Sequence, residues 1–266
     1  MNKLEKLFSL KNKNVLITGS TGYLGSYISK FLADNKANVF LQGKDKIKVG
    51  QLYKKLKNKN YSVTPLVFDL LDEEEMKNVI NTKLKNNLNV LINNAYSGSS
   101  GTTLNSNSSD FRNSYEITMV ATNNLVKNLY PQLIKSKKKF GDASIINISS
   151  IYGLLSPDLG IYSNLNKANP PYYGAAKAAL IQYTKYTACE FAKDGIRVNS
   201  ISPGAFPSPK FQKIHPNTVK KLINKIPLKR IGKPEDIIGP LMYLATSSSK
   251  YVTGTNIIAD GGYSTW

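Results

Sequence analysis

Short apolar runs recur along the chain, each closed by glycine, asparagine, aspartate or serine. Asn14-Val15-Leu16-Ile17 leads into glycines and predicts a buried parallel strand. The same pattern predicts strands at Asn38–Leu41, Val63–Phe68, Asn89–Ile92, Ala143–Ile148, Arg197–Ile201 and Thr255–Ala259. Helical spacing covers Tyr27–Asn35, Asp110–Ser136 with an interruption near Pro131, Tyr173–Lys193 and Pro234–Ser247. Strand and helix alternate, so the expected class is α/β: a doubly wound parallel sheet with helices on both faces. No Pro/Gly/Ser linker or internal repeat divides the chain, and residues 1–266 read as a single domain. Ser97 to Ser109 reads as a polar, flexible loop after the fourth strand. In such sheets ligands bind outside the carboxyl ends of the strands.

Composition narrows the function classes. At 266 residues and 29.4 kDa, with mean hydropathy −0.29, the chain can bury one substantial core. No apolar run approaches the ~18–20 residues that cross a bilayer, and Met1 to Phe8 lacks a signal peptide's apolar stretch, so no membrane partner and a cytoplasmic location are expected. One cysteine, Cys189, and one histidine, His215, exclude an internal disulfide and any cysteine- or histidine-built metal centre. Cys189 is expected to face a helix interior and to be inert. The net charge of +19 raises the question of nucleic acid. Arginine occurs only at Arg112, Arg197 and Arg230, and the lysines are dispersed among asparagines, which argues against a nucleic-acid partner. A positive field would instead steer an anionic small molecule toward a site.

Two motifs carry candidate chemistry. Thr18-Gly19-Ser20-Thr21-Gly22-Tyr23-Leu24-Gly25 lies between the first strand and a helix, where glycines let the backbone approach a pyrophosphate at a helix N-terminus. Tyr173-Gly174-Ala175-Ala176-Lys177 places a phenol and an ammonium on one helix face, downstream of Ser150. A free phenol titrates near 10, and a neighbouring cation moves it toward the working range. Asp69-Leu70 and Asn93-Asn94-Ala95 end the third and fourth strands at the same rim.

Together with Pro203-Gly204, the segment Pro227 to Asp236, Tyr251-Val252-Thr253-Gly254 and Asp260-Gly261-Gly262, these motifs resemble the short-chain dehydrogenase/reductase family from Leu10 to Tyr263. The resemblance implies a compact Rossmann-type fold and an NAD(P)(H)-dependent oxidoreductase that interconverts a secondary alcohol and a ketone on a small-molecule substrate. It implies diphosphate binding at Gly19, Ser20, Thr21, Gly22, Tyr23, Leu24 and Gly25. Asp69 and Leu70 would meet the adenine, Asn94 and Ala95 would steady the central strand, and Pro203, Gly204 and Ser208 would lie on the nicotinamide side. Ser150, Tyr173 and Lys177 would form the catalytic core, with Tyr173 and Lys177 also meeting the nicotinamide ribose. A homo-oligomer, dimer or tetramer, is implied as well.

The cofactor's identity turns on the end of the second strand, Leu41-Gln42-Gly43-Lys44-Asp45. Gly43 stands where an acid would accept the ribose hydroxyls of NAD, and Lys44 could pair with a 2′-phosphate; this favours NADP(H), while Asp45 leaves NAD(H) open. Ser149 is the neighbouring serine but points the other way in an extended segment. Tyr172 is the neighbouring tyrosine, with Ala176 four residues on.

Three departures from the family pattern stand out. Tyr23 occupies a position where the short type has glycine, a spacing closer to the extended nucleotide-sugar branch, but the chain's length favours the short type. Thr118 falls where the fourth catalytic position holds asparagine, and Asn123 and Asn124 lie over a turn away. Ser150 and Tyr173 are 173 − 150 = 23 positions apart, and the segment from Leu154 to Pro171 reads either as a surface loop or as a wall of the substrate pocket. Ile151-Tyr152-Gly153, Ser156-Pro157-Asp158 and Asn94-Ala95-Tyr96 resemble a subgroup found in bacterial surface-sugar and flagellin-modification clusters, which points to a sugar or sugar-acid substrate. A carbonyl or ketoacyl reductase of lipid-type substrates and a degenerate cofactor-binding scaffold are the alternatives. His215 reads as a surface residue, and Lys210, Lys213, Lys220 and Lys221 near it could greet an anion if that segment closes over the site.

Overall fold

The buried positions alternate along each strand, and the alternation shows how the sheet is covered. In the computed structural model, which describes residues 2–266, Val15 and Ile17 face one core and Leu16 faces another, each fully buried. Both faces are therefore apolar, which is why the strands read as continuous runs. The order is α1 (Lys3–Leu7), β1 (Asn14–Ile17), α2 (Tyr23–Asp34), β2 (Asn38–Gly43), α3 (Lys46–Lys57), β3 (Val63–Val67), α4 (Glu73–Lys83) and β4 (Val90–Asn93). It continues with α5 (Ser108–Tyr115), a π turn (Glu116–Val120), α6 (Ala121–Phe140), β5 (Ala143–Ile148), α7 (Pro171–Phe191), β6 (Ile196–Pro203), α8 (Pro209–Ile214), α9 (Pro216–Lys225), α10 (Ile238–Ala245) and β7 (Asn256–Ala259).

All seven strands are parallel, in the order β3-β2-β1-β4-β5-β6-β7. The direction of winding reverses between β1 and β4, and such a reversal opens a crevice at the strands' carboxyl ends. Ile28 and Leu32 of α2 and Leu241 and Leu244 of α10 cover one face. Met76 and Ile80 of α4 and Leu125, Leu129 and Leu133 of α6 cover the other. Each such side chain contributes roughly 1.5–3 kcal/mol through burial.

Three expectations need correction. The stretch from 110 to 136 is not one helix broken at proline: α6 runs through Pro131, and the break is the π turn at Glu116–Val120. Proline removes only its own N–H bond there, whereas a π turn re-registers the ladder. Helices α3 and α4 also lie where no helix was expected. Their signals are the capping residues Asp45 and Asp72, whose side chains accept from Lys48 N and Glu75 N. Cys189 is exposed rather than turned into the helix packing, because the buried face of α7 runs through Leu180, Thr184, Thr187 and Ala188.

Candidate active site

The glycine turn is shaped by close backbone approach. A Cβ on Gly25 would lie 2.1 Å from the Gly19 carbonyl oxygen, and one on Gly19, where φ is +61°, would lie 2.9 Å from the Ala95 Cα. The turn is clamped by its neighbours. Thr18 Oγ1 accepts from Asn94 N at 2.9 Å and Ala95 N at 3.0 Å, and Asn94 Nδ2 donates to the Thr18 carbonyl. Gln42, buried at the end of β2, accepts from Gly19 N through Oε1 and donates to the Phe68 carbonyl. Helix α2 starts directly after Gly22, so its free amides and dipole face the turn.

Beside the turn lies a cavity of about 730 Å³ lined by Gly19, Thr21 to Gly25, Lys44, Asp69, Leu70, Asn94 and Ala95, with Tyr96, Ser97 and Ile117 at its other end. The Ser20 hydroxyl is buried in the turn without a hydrogen-bond partner. Bare backbone, a helix N-terminus and an orphaned hydroxyl fit the diphosphate of a dinucleotide. At the far end Lys44 is exposed, 3.6 Å from the Asp69 carboxylate. Asp45 is committed elsewhere: its carboxylate caps α3 and pairs with Lys48, and those contacts hold it below the usual carboxylate range.

Beyond Tyr96 the candidate catalytic residues converge. Tyr173 of α7 lies edge-on to Tyr96, ring centroids 4.8 Å apart at 72°. Burial holds the Tyr173 phenol above its ordinary value, and a hydrogen bond with the Ser150 hydroxyl offsets part of that. Ser150 Oγ also accepts from Tyr152 N at 3.1 Å, which aims the side chain. Lys177 is 3% exposed, donates to the Ile148 carbonyl at 2.8 Å, and has its ammonium 5.8 Å from the Tyr173 ring centroid. Burial lowers its pKa to about 8. Thr118 stands in the π turn, with its hydroxyl buried and unpartnered.

The neighbouring candidates are occupied. Ser149 Oγ donates to the Lys177 carbonyl, and the Tyr172 hydroxyl meets Ser99 Oγ at 2.7 Å. Asn123 accepts from Tyr183, and Asn124 donates to Glu73. Pro203 ends β6 on the same rim, the Gly204 amide donates to Ala259, and Ser208 caps α8. Among the described residues no group of acidic, histidine or cysteine side chains could hold a metal ion.

The family described as "Enoyl-(Acyl carrier protein) reductase" matches residues 22–264. A 3-oxoacyl-[acyl-carrier-protein] reductase of Rickettsia conorii is 33% identical over 256 residues, 96% of this chain and 98% of the relative. The chain belongs to the short-chain dehydrogenase/reductase family. A short-chain dehydrogenase of Leptospira borgpetersenii with bound NAD+ is 27% identical with TM-score 0.84, covering 99% of this chain and 96% of that one. A gluconate 5-dehydrogenase of Burkholderia cenocepacia, in complex with NADP and tartrate, has the same fold at 21% identity, TM-score 0.87 and 99% coverage of both chains. The protein is an NAD(P)-dependent oxidoreductase acting on CH–OH groups.

In this short-chain dehydrogenase/reductase the segment leading into α7, the helix that carries Tyr173, is tethered on two sides. The loop of residues 97–107 is tied to the segment between β5 and α7. Gly101 N donates to Ala168 O, Ser100 Oγ to Asn166 O, and Asn105 Nδ2 to Asn166 Oδ1 at 2.7 Å. From the other side Lys225 pairs with Asp158 at 3.0 Å, and Ile161 packs with Leu222, Ile226 and Tyr263. The long segment is thus docked on both flanks. Its base sits on α7 by close approach: a Cβ on Gly174 would lie 2.6 Å from the Tyr152 carbonyl, and one on Gly153 would lie 2.8 Å from the backbone at Lys177.

A buried ladder positions α7 itself. Asn93 donates to Asn147, Asn147 to Thr184, and Thr184 to the Leu180 carbonyl. Sequence reading missed Gln42, Thr18 and Asn147 as members of the site. For Gln42 and Asn147 a signal existed, a lone amide inside an apolar strand, since buried amides are kept for their hydrogen bonds.

Proposed function

We propose that the chain interconverts a secondary alcohol and a ketone on a sugar or sugar-acid derivative, with NADP(H) preferred over NAD(H). The observation that carries the reading is the Ser150–Tyr173–Lys177 cluster at the end of the dinucleotide groove, beside a wall of serine, asparagine and tyrosine side chains. Gly19 to Gly25 would hold the diphosphate, Asp69 and Leu70 would meet the adenine, and Pro203, Gly204 and Ser208 would border the nicotinamide. When bound, the cofactor supplies the hydride for reduction or accepts it in oxidation.

The chain's own residues handle the oxygen and its proton. The Ser150 hydroxyl donates to the substrate oxygen. Tyr173 gives its phenolic proton to that oxygen as it becomes an alkoxide, and the phenolate takes the proton back in oxidation. Lys177 sets the charge beside the phenol, and the orphaned Thr118 hydroxyl is a place for a water near α7.

Exposed Lys44 supports NADP(H), because Asp45 is engaged in capping α3 and is not free to accept ribose hydroxyls. Exposed Tyr115, Val120 and Tyr186, on α5, the π turn and α7, support a homo-oligomer, and a cytoplasmic location fits the absence of any helix long and apolar enough to cross a membrane among the described residues.

A second reading has its own support. Leu104, Leu154, Leu159 and Leu165 are exposed on the same wall, and the matching relative from Rickettsia acts on 3-oxoacyl groups, so an acyl thioester is the competing substrate. Steady-state assays with NADPH on a panel of keto-sugars and keto-sugar acids, against acetoacetyl thioesters, decide between them. Higher kcat/KM on the thioesters overturns the sugar reading, and no turnover of either panel overturns the oxidoreductase roles given to Ser150, Tyr173 and Lys177.

A further inference from the structure

Lys177 is deeply buried, yet it has a single hydrogen-bond acceptor, the Ile148 carbonyl at 2.8 Å. No carboxylate acts on its charge. The groups on the elements packed round it are Tyr173 on its own helix, Tyr96 at the end of β4, Ser150 and Tyr152 after β5, and Thr118 in the π turn. Of these, Tyr96 is the nearest aromatic: the ammonium lies over its ring, 5.4 Å from the centroid, against 5.8 Å for Tyr173. A cation at that distance is attracted by the negative face of the ring. The same Tyr96 ring makes the edge contact with Tyr173 at 4.8 Å.

Tyr96 is itself held. Its hydroxyl lies 3.3 Å from Ser114 Oγ, and Ser114 donates to the Tyr172 carbonyl at 3.1 Å, the residue before Tyr173. The loop folds over the phenol so closely that a Cβ on Gly98 would lie 2.4 Å from its oxygen. Burial pushes the Tyr96 hydroxyl up to about 12, so it stays neutral and serves as a ring and a hydrogen-bonding group.

We infer that Tyr96 is a positioning residue of the reaction centre, whose ring holds the Lys177 ammonium and the Tyr173 phenol in one arrangement before substrate arrives. The inference rests on the alcohol–ketone reading of Tyr173 and Lys177. It has a consequence that packing alone lacks. A ring face favours the charged lysine against the burial that disfavours it, so removing the ring must lower the Lys177 titration. Removing only the hydroxyl must leave it in place.

The test uses the full chain without cofactor, with lysines labelled at the ε carbon. The Lys177 resonance is assigned by its loss in Lys177→Arg and titrated by NMR. In Tyr96→Leu its midpoint falls by about 0.5–1 pH unit, the size that a cation–π contact implies. In Tyr96→Phe it stays within 0.2 units, a threshold chosen at roughly the precision of such titrations against the ~1-unit effect. The alkaline limb of kcat/KM moves with it in Tyr96→Leu and stays in place in Tyr96→Phe.

An unmoved Lys177 midpoint in Tyr96→Leu overturns the inference, as does an equal fall in Tyr96→Phe. Should Tyr96→Leu fail to fold, successively fluorinated phenylalanines at position 96 keep the shape and drain the ring's negative face. A stepwise fall of the midpoint with fluorination supports the inference, and a constant midpoint overturns it. If wild-type protein turns over no ketone or alcohol, the functional reading fails by that result alone, and the titration still decides what Tyr96 does to Lys177.

Discussion

At the glycine turn backbone meets backbone; at Tyr173, some way along the same groove, side chain meets side chain. Gly25 cannot carry a Cβ because the Gly19 carbonyl occupies its place, and the groups that bind there are amides fixed by Thr18, Gln42 and Asn94. The other end is made of phenols, an ammonium and a serine whose protonation depends on burial and on one another. On the proposed reading the first region would take the diphosphate common to every dinucleotide, and its backbone contacts leave little room for change. The second decides chemistry and substrate, and its supports come from three separated segments: β4 with its following loop, the stretch after β5, and α7. The difference teaches where variation is affordable, and substitutions should expose it.

The largest effect is expected at the chemical end. Tyr173→Phe should lower kcat/KM by about 10²–10⁴-fold while NADPH affinity, read from nicotinamide fluorescence, changes little. The wild-type pH profile carries the same point. Because burial holds the Tyr173 phenol above its ordinary value, the proton donor stays loaded through neutral pH. Reduction should therefore be flat through neutral pH and decline only as Lys177, held by burial at about 8, loses its charge, whereas oxidation, which needs the phenolate, should rise with pH over the neutral range.

Gly25→Val is the matching break at the turn. The added atoms meet the Gly19 carbonyl, an overpacking that costs about 1–3 kcal/mol or more, so cofactor affinity should fall at least tenfold in titration, with a lower Tm. A smaller change sharpens the cofactor preference. Lys44→Ala should weaken NADPH by about tenfold, the worth of one charge-assisted contact, and leave NADH unchanged. Equal weakening of both would assign Lys44 to the groove in general and would return Asp45 to consideration. The smallest effect belongs to the wall. Asn166→Ala removes the bond from Asn105 and should raise the substrate KM about two- to fivefold, with the cofactor Kd intact.

Much of this was legible before any coordinates. The glycine spacing and the Tyr173–Lys177 step are local signals, because a turn and a helix face each depend on residues a few positions apart; the capping aspartates Asp45 and Asp72 are equally local but went unread. The seven strands were readable for the same reason: a strand covered on both faces must be apolar throughout. The π turn was not, since nothing in Glu116-Ile117-Thr118-Met119-Val120 departs from ordinary helix composition. The segment between β5 and α7 could be read as either loop or wall. Its docking depends on Asn105, Asp158, Lys225 and Tyr263, residues brought together from across the chain. Tyr96 was read only as part of Asn94-Ala95-Tyr96, a subgroup resemblance, and not as a partner of Lys177, 81 positions away (177 − 96).

The sequence by itself determined the class of the protein: the parallel α/β order and the family, with the glycine turn and the Ser150, Tyr173 and Lys177 set as its candidate sites. The tertiary structure alone decided which hydroxyls are orphaned, that burial works against both the Tyr173 phenolate and the Lys177 ammonium, and that Tyr96 lies against both. The reason is physical. Local pattern sets what the backbone can do within a few residues, whereas desolvation and through-space charge depend on distances that exist only once the chain has closed on itself.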